Sequence, residues 1–416
     1  MKIFDWIIVG GGIAGISLSE ILTREGHSVA LIEKKSKLAS VTTREFHEWF
    51  HTGSLYTLLK DDMKTLKYVL GSLDDLLEFY SSFPKMNLRP TDKGLKITDD
   101  DKGWFSPNYI NFKYRLKSRK LILPWLFAIA RSIALIDGIR KHDWLRRRAG
   151  ILESVTAKYY LPIIKNLFEI ITNSNKFYKV ETTDFTTNSR YLLADMIATA
   201  KKNGLEIFTK NELLEIKNSN DNVIANCSNG NFQAKNMAVC LGGEIEKFSD
   251  LKINKSYAPI AVVKNIKADT KSFVELDCFK KNCINIITKG KSFGLIGGIS
   301  LSNKSEIQKY FDFVMDEHKK LNPEIEILEK YVSIKNEIFQ KKENRNYLFH
   351  IKTSKKYKNV WSVIPGKFTL AFSMAPEFYR IIYKKNPRKF FNTSSDTGDF
   401  SHLIEETVWG EIQKKE

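Results

Sequence analysis

The sequence predicts an α/β protein. A parallel sheet, with helices on one side and an antiparallel hairpin on the other, is interleaved with an α+β unit built on an antiparallel sheet. Three observations carry this: a strand–glycine turn–helix–strand unit opens the chain, strand and helix patterns return to it twice, and alternating apolar strands lie between those returns. The opening unit runs from an apolar strand, Ile3 to Val9, into Gly10-Gly11-Gly12-Ile13-Ala14-Gly15. A helical stretch Ile16 to Arg24, Gly26, a second apolar strand Ser28 to Ile32, and the acid Glu33 follow. Gly10 permits the tight turn out of the strand, Gly12 lets the backbone approach a pyrophosphate, and Gly15 lets helix and strand pack closely. The phosphates would meet the free N–H groups and positive dipole end of the helix. Glu33, roughly 20 residues past the glycines, is placed to accept from an adenosine ribose, with Lys34 beside it. The alternative is a glycine-rich turn that binds nothing. Strand, helix, strand and acid together favour a dinucleotide, FAD or NAD.

Further along, Ser189 to Lys202 reads as an amphipathic helix stopped by Gly204, and Leu205 to Phe208 as a short strand. Leu213 to Lys217 and Val223 to Cys227 alternate as hairpin strands around Asn218 to Asn222, and Asn236 to Leu241 is a buried strand ending in Gly242-Gly243. Val360 to Ile364 leads into Pro365-Gly366-Lys367-Phe368-Thr369 and a helix through Ile382. Between these returns, Ala258 to Ile266, Ile284 to Thr288 and Phe293 to Ile299 are strands of a second sheet, and Ser305 to Leu321 a helix. The expected division is a discontinuous nucleotide-binding domain (1–82, 180–250 and 340–400), a substrate domain (83–179 and 251–339) and a C-terminal tail (401–416).

A chain of 416 residues exceeds the size at which one core stops growing, so two packed domains are expected. Hydrophobic residues at 43% and aromatics at 12% exclude a disordered chain. The net charge of +18 raises nucleic acid, anionic lipid or an acidic substrate as partners, but Lys is scattered from end to end, as on a generally basic surface. No basic face interleaved with aromatics marks a nucleic-acid site, so none is expected; a flavin-containing RNA-modifying or RNA-binding protein is the alternative from another class. Cys227, Cys240, Cys278 and Cys283 form no CxxC pair and have no His at ligand spacing, so no metal site and a reduced, cytoplasmic setting are expected. The first strand begins almost at the N-terminus, which leaves no room for a signal peptide.

Four blocks carry a resemblance. They are the fingerprint with Glu33; Ser40-Val41-Thr42-Thr43-Arg44 leading to Phe50-His51-Thr52-Gly53-Ser54-Leu55-Tyr56; Arg190 to Leu213, completed by Leu241-Gly242-Gly243; and Gly366-Lys367-Phe368-Thr369. In order and spacing the chain resembles the D-amino-acid oxidase-like superfamily of FAD-dependent oxidoreductases, nearest to the glycerol-3-phosphate dehydrogenase and L-2-hydroxyglutarate dehydrogenase branches. About Phe83 to Lys179 is unmatched, and Pro365 replaces the first glycine of the last motif. The resemblance implies a Rossmann-like FAD-binding domain, with FAD along Gly10, Gly12, Ile13, Ala14, Gly15, Glu33 and Lys34. Thr42, Thr43, Leu213, Gly242, Gly243, Gly366, Lys367, Phe368 and Thr369 would close around it.

It also implies hydride transfer from a small polar or anionic substrate, a 2-hydroxy acid, polyol phosphate or sugar derivative, with oxygen or a quinone as acceptor. An amino-acid or secondary-amine oxidase of the same fold is the alternative. His51 corresponds to a histidine beside the flavin, where a neutral imidazole takes an alcohol proton. It is also the candidate for covalent attachment through a Trp-His pair, from which this chain departs because Phe50 separates Trp49 from His51. Lys367 is a charge donor to the reduced flavin. Arg345 and Arg44 are the candidates for a substrate anion, since a guanidinium fork suits carboxylate or phosphate. His47 would share a face with His51 if this stretch were helical, whereas Tyr56 and His350 read as core. No second fingerprint follows, because Gly294-Leu295-Ile296-Gly297-Gly298 fits a strand, so the substrate rather than NAD(P)H reduces the flavin. A hydroxylase-type Gly-Asp is missing from both late glycine turns, which favours oxidation over monooxygenation.

One cluster stands out from the scattered charge. Leu121 to Ile139 is apolar, carries Arg131 and Asp137, and is flanked by Lys117-Ser118-Arg119-Lys120 and by Arg140-Lys141-His142. Two internal charges argue against a membrane span of about 20 residues. The alternatives are an interfacial helix on the inner face of an anionic membrane and a core helix of the substrate domain with a basic rim.

Overall fold

The computed structural model describes residues 2–51, 56, 64–91, 94–98, 102–106, 112–116, 178–182, 184–267, 270, 272–276, 283–290, 292–338, 348–390 and 399–416. Five strands run parallel in the order Val360–Ile364, Gly230–Val239, Ile3–Val9, Val29–Ile32, Glu206–Phe208. The ten-residue strand Gly230–Val239 serves two neighbours on one side. Its first half pairs antiparallel with Asn222–Cys227, which hairpins to Leu213–Ser219, and its second half pairs parallel with Val360–Ile364. His350–Thr353 closes that edge as an antiparallel strand.

Because successive strand residues face opposite ways, Ile3–Val9 feeds two cores. Trp6 and Ile8 join the layer made by the helices Ile13–Arg24, Lys64–Tyr80, Ser189–Lys202 and Ala371–Tyr383. Ile7 and Val9 join the opposite layer, with Leu213, Ile216, Val223 and Ala225 of the hairpin. Helices on one side and an antiparallel hairpin on the other are the architecture expected from the sequence.

The second sheet has the order Glu326–Ile338, Ile253–Lys264, Gly294–Gly298, Ile284–Thr288, Phe273–Leu276, Phe112–Leu116, Tyr178–Thr182. All neighbours are antiparallel except Phe273–Leu276 with Phe112–Leu116. The helix Ile307–Leu321 covers one face through Tyr310, Phe311, Val314 and Met315. The edge strand Glu326–Ile338 has no counterpart in the sequence reading. It carries charge along most of its length because it pairs on one side only, and charge protects a free edge.

Two joints tie the sheets together. From the second sheet, the Tyr331 hydroxyl donates to the Glu45 carbonyl (2.8 Å) and the Ser333 hydroxyl to the Glu45 carboxylate (3.1 Å). The C-terminal residues dock as well: Leu38 and Ile404 form a parallel bridge, and the helix Val408–Gln413 places Ile412 in the interior. Arg345, the turn 52–55 and the apolar stretch 121–139 with its basic flanks lie outside the described residues. Among the described residues, no helix is long and apolar enough to cross a membrane.

Candidate functional site

A cavity of about 910 Å³ runs from the mouth of the parallel sheet to the inner face of the second sheet. Its first wall is the opening glycine turn. Gly10 turns at φ +107°, and a Cβ there would come within 2.6 Å of the Cys240 carbonyl oxygen. Gly15 stands behind the wall rather than on it. A Cβ would lie 1.9 Å from the Gly10 carbonyl oxygen, so the helix packs this close to the strand only with glycine at that position. Gly12 caps the helix without any side-chain hydrogen bond, and Ile13 N–H donates to Thr43 Oγ1 (3.2 Å). The helix N-terminus, with Thr43 meeting only its first N–H, therefore opens into the cavity as a positive cradle that suits a pyrophosphate.

Glu33 ends the second strand. Its two carboxylate oxygens accept from Gly11 N–H (2.7 Å) and Lys35 N–H (2.8 Å), which fixes the carboxylate at the rim with lone pairs to spare. Lys34 forms an ion pair with Glu244, on the short helix that begins at Gly242. Leu213 lines the same end, and Thr42, Thr43, Gly242 and Gly243 line the middle. Gly366 turns at φ +69° ahead of Lys367, Phe368 and Thr369, all on the wall. Cavities of this size take cofactor-sized ligands, and both the glycine cradle and the donor set fit FAD.

His51 lines the cavity beside that last turn. Its backbone N–H donates to Thr369 Oγ1 (3.1 Å), while its ring Nδ1 is sealed from solvent without a partner among the described residues. Burial, then the charges of Lys367 and Lys335, hold the imidazole well below its usual pKa, so the ring is neutral. The Trp49 and His51 rings meet at 4.0 Å between centroids, because residues two apart on an extended chain share a side and Phe50 points into the core. Tyr56 also reaches the cavity, with the Lys367 ammonium 5.0 Å above its ring. His350 is absent from the wall.

Two expectations are corrected. Arg44 does not face the cavity: the helix Thr42–Glu45 turns it outward, and it pairs with Glu411 of the C-terminal helix at 2.6 Å. His47 and His51 do not share a helix, since that short helix ends at Glu45 and Trp49–Phe50 is a strand paired with Phe185–Thr186. Both rings reach the cavity through extended chain instead. Burial and the charges of Lys335 and Lys289 lower the His47 pKa to about 3.

Several wall residues left no mark in the sequence. Glu48 is buried in a left-handed turn (φ +58°), and Lys289 donates to its Oε2 at 2.6 Å. Burial works to raise the Glu48 carboxyl, but the Lys289 charge and the Ser189 hydroxyl more than offset it and keep it ionised. Asn285, Ser300 and Lys335 come from the second sheet and the turn that follows one of its strands. Nothing in sequence spacing separates such residues from ordinary polar positions, because only the fold of the second sheet turns them inward.

No curated protein matches the sequence. Similar solved structures include L-proline dehydrogenase from P. horikoshii, 12% identical over 93% of this chain and 95% of that one, with a TM-score of 0.64. L-α-glycerophosphate oxidase from Mycoplasma pneumoniae with FAD bound is 16% identical over 95% and 98%, TM-score 0.63. Glycine oxidase from Geobacillus kaustophilus is 13% identical over 93% and 96%, TM-score 0.60. At such identities these likenesses establish the fold. Residues 5–280 match the family described as FAD dependent oxidoreductase, DAO. With the glycine cradle, the fixed Glu33 and the matching fold, the chain belongs to the DAO family of FAD-dependent oxidoreductases, with FAD as its cofactor.

Proposed function

We propose that this oxidoreductase oxidises a carbon bearing a hydroxyl group in a small anionic substrate, a 2-hydroxy acid, polyol phosphate or sugar derivative. His51 takes the hydroxyl proton. FAD, when bound, supplies the hydride acceptor. The observation that carries the reading is the His51 ring, neutral on the cavity wall with Nδ1 unpartnered among the described residues, next to the Gly366–Thr369 turn. Lys367 and Lys335, whose charges both act on His51, make this part of the cavity positive and hold a carboxylate or phosphate. An anion seated there cancels part of the field that depresses the imidazole, so His51 gains basicity when substrate arrives. Closure under the second sheet excludes water from the reacting carbon. Oxygen or a quinone would be the final electron acceptor.

Oxidation of an amino acid or secondary amine is the second reading. The names of the proline dehydrogenase and glycine oxidase neighbours favour it. An amine that arrives unprotonated needs no base, and the positive end of the cavity would hold the carboxylate in either case.

Anaerobic mixing with hydroxy acids, polyol phosphates, sugar acids and amino acids tests both readings. One class should bleach the flavin absorbance within seconds. Rapid bleaching by NAD(P)H with none by any of these compounds would overturn them.

A further inference from the structure

The diphosphate of FAD carries a negative charge on each phosphate, whereas a helix N-terminus offers the equivalent of about half a positive charge. Five lysines line the cavity. Lys34 and Lys247 both pair with Glu244, and the charges of Lys335 and Lys367 act on His51. Lys255 is the fifth, and among the described residues it forms no ion pair.

Strand ends place this lysine near the glycine cradle. The turn at Gly10 and the turn at Leu241-Gly242-Gly243 leave neighbouring parallel strands, about 4.8 Å apart. The Cys240 N–H donates to the Val9 carbonyl (2.7 Å), and a Cβ on Gly10 would lie 3.5 Å from the Leu241 nitrogen. Asn336, near the end of the edge strand Glu326–Ile338, meets the second of these turns from the other sheet. A Cβ on Gly243 would fall 2.5 Å from Asn336 Oδ1 and 3.2 Å from its Nδ2. The space of the missing side chain is thus filled by the Asn336 amide. Lys255 is the direct antiparallel partner of Asn336, so the two side chains project from one face, about 4.5–5.5 Å apart at Cβ. Both line the cavity. Alternation sends Glu337, next in sequence, to the opposite face, so it does not compete for the Lys255 ammonium.

We propose that Lys255 and Asn336 form a second half of the FAD diphosphate site, a clamp that the second sheet sets beside the glycine cradle. Lys255 supplies the counter-charge and Asn336 supplies amide hydrogens. FAD then bridges the two sheets instead of resting on the first alone. The clamp goes beyond the oxidation reading and is independent of it, since it concerns the cofactor whatever reduces the flavin. A solvated lysine of a generally basic surface would instead behave like Lys252, which is exposed and off the cavity wall.

The test starts from the FAD-loaded protein and follows FAD release after dilution, by ultrafiltration. Lys255→Met should speed release about tenfold or more, with Lys255→Arg close to wild type. Asn336→Asp keeps the side-chain shape against Gly243 but sets a negative charge beside the diphosphate. It should speed release at least as much, and more at low salt than at high. Lys252→Met should leave release unchanged. ADP and adenosine, used to displace FAD, differ by the diphosphate. ADP should act at the lower concentration in the wild-type protein, and Lys255→Met should cut that advantage about tenfold. Unaltered release from Lys255→Met, an equal effect of Lys252→Met, or an ADP advantage that survives Lys255→Met would overturn the clamp. None of these readouts involves a substrate, so failure of the clamp and failure of the oxidation reading are separate results.

Discussion

The Lys289 ammonium lies 2.6 Å from Oε2 of Glu48, with both side chains only 4% exposed. The same oxygen accepts from Trp409 Nε1 (2.9 Å), and Oε1 accepts from the Ser189 N–H (2.8 Å). One carboxylate therefore joins the second sheet, the start of the helix Ser189–Lys202, the C-terminal helix and the segment that leads to His51.

Breaking such a pair from one side strands a buried charge. Lys289→Met should cost about 3–5 kcal/mol, because Glu48 then has only neutral donors. Adding Glu48→Gln should recover part of that loss, since the amide keeps its shape and carries no charge. Denaturant unfolding of both single variants and the double variant checks this through the coupling energy. Full additivity would mean that the pair is not a unit.

His47 gives the protein an acid liability. Its folded pKa, about 3, lies below the ordinary 6.5 of an unfolded chain. Above pH 6.5 both states are neutral and the group contributes nothing to the pH dependence. As pH falls below 6.5 the unfolded state takes up the proton first, so stability drops until the folded pKa is reached. At pH 5 the loss is up to about 2 kcal/mol relative to pH 7. His47→Gln should make stability fall less steeply over this window, as measured by thermal unfolding at pH 7 and pH 5. The slope that remains comes from His51 and His350, whose pKa values are also depressed. An unchanged slope would show that His47 is not the group responsible.

The opening glycines separate folding from binding. A Cβ on Gly12 meets only Thr43 Oγ1, at 3.3 Å, whereas one on Gly15 overlaps the Gly10 carbonyl oxygen. Gly12→Ala should therefore stay soluble and fold with FAD occupancy reduced at least tenfold, because the methyl group stands where the backbone approaches the pyrophosphate. Gly15→Ala should fail earlier, with less soluble protein and a lower melting temperature even in the presence of excess FAD. Flavin-to-protein absorbance ratios and circular dichroism distinguish the two.

That contrast shows what sequence encodes locally. The strand Ile3–Val9, the glycine turn and Glu33 are legible because each residue type answers a steric or electrostatic demand within a few positions of itself. The hairpin around Asn220, which takes φ +53°, is legible for the same reason. Arg44 reads as an anion ligand by its neighbours in sequence, yet its partner Glu411 comes from the far end of the chain. Asn285 and Lys289 are likewise invisible, because their roles depend on strand register and on partners some 240 residues away for Lys289. The strand Glu326–Ile338 escapes notice because an edge strand shows no clean alternation of apolar residues.

His51 and Lys367 make the sharpest kinetic prediction. Held well below its usual pKa, His51 is neutral in the free enzyme, so kcat/KM should show no falling acid limb near pH 6.5 from this group. Lys367→Met removes one of the charges that depress it. The imidazole pKa should then rise toward 6.5 and bring such a limb into view, while KM for anionic substrates increases about tenfold through the lost attraction. His51→Gln should leave FAD content and KM close to wild type and lower the rate of flavin reduction by about 10²–10⁴-fold for a hydroxy acid. For an amine substrate the same variant should lose far less, since no alcohol proton has to be taken. Stopped-flow reduction of the wild-type and variant proteins across pH 5–9 therefore tests the base and separates alcohol from amine chemistry. A hydroxy acid reduced at full rate by His51→Gln would remove His51 from the mechanism.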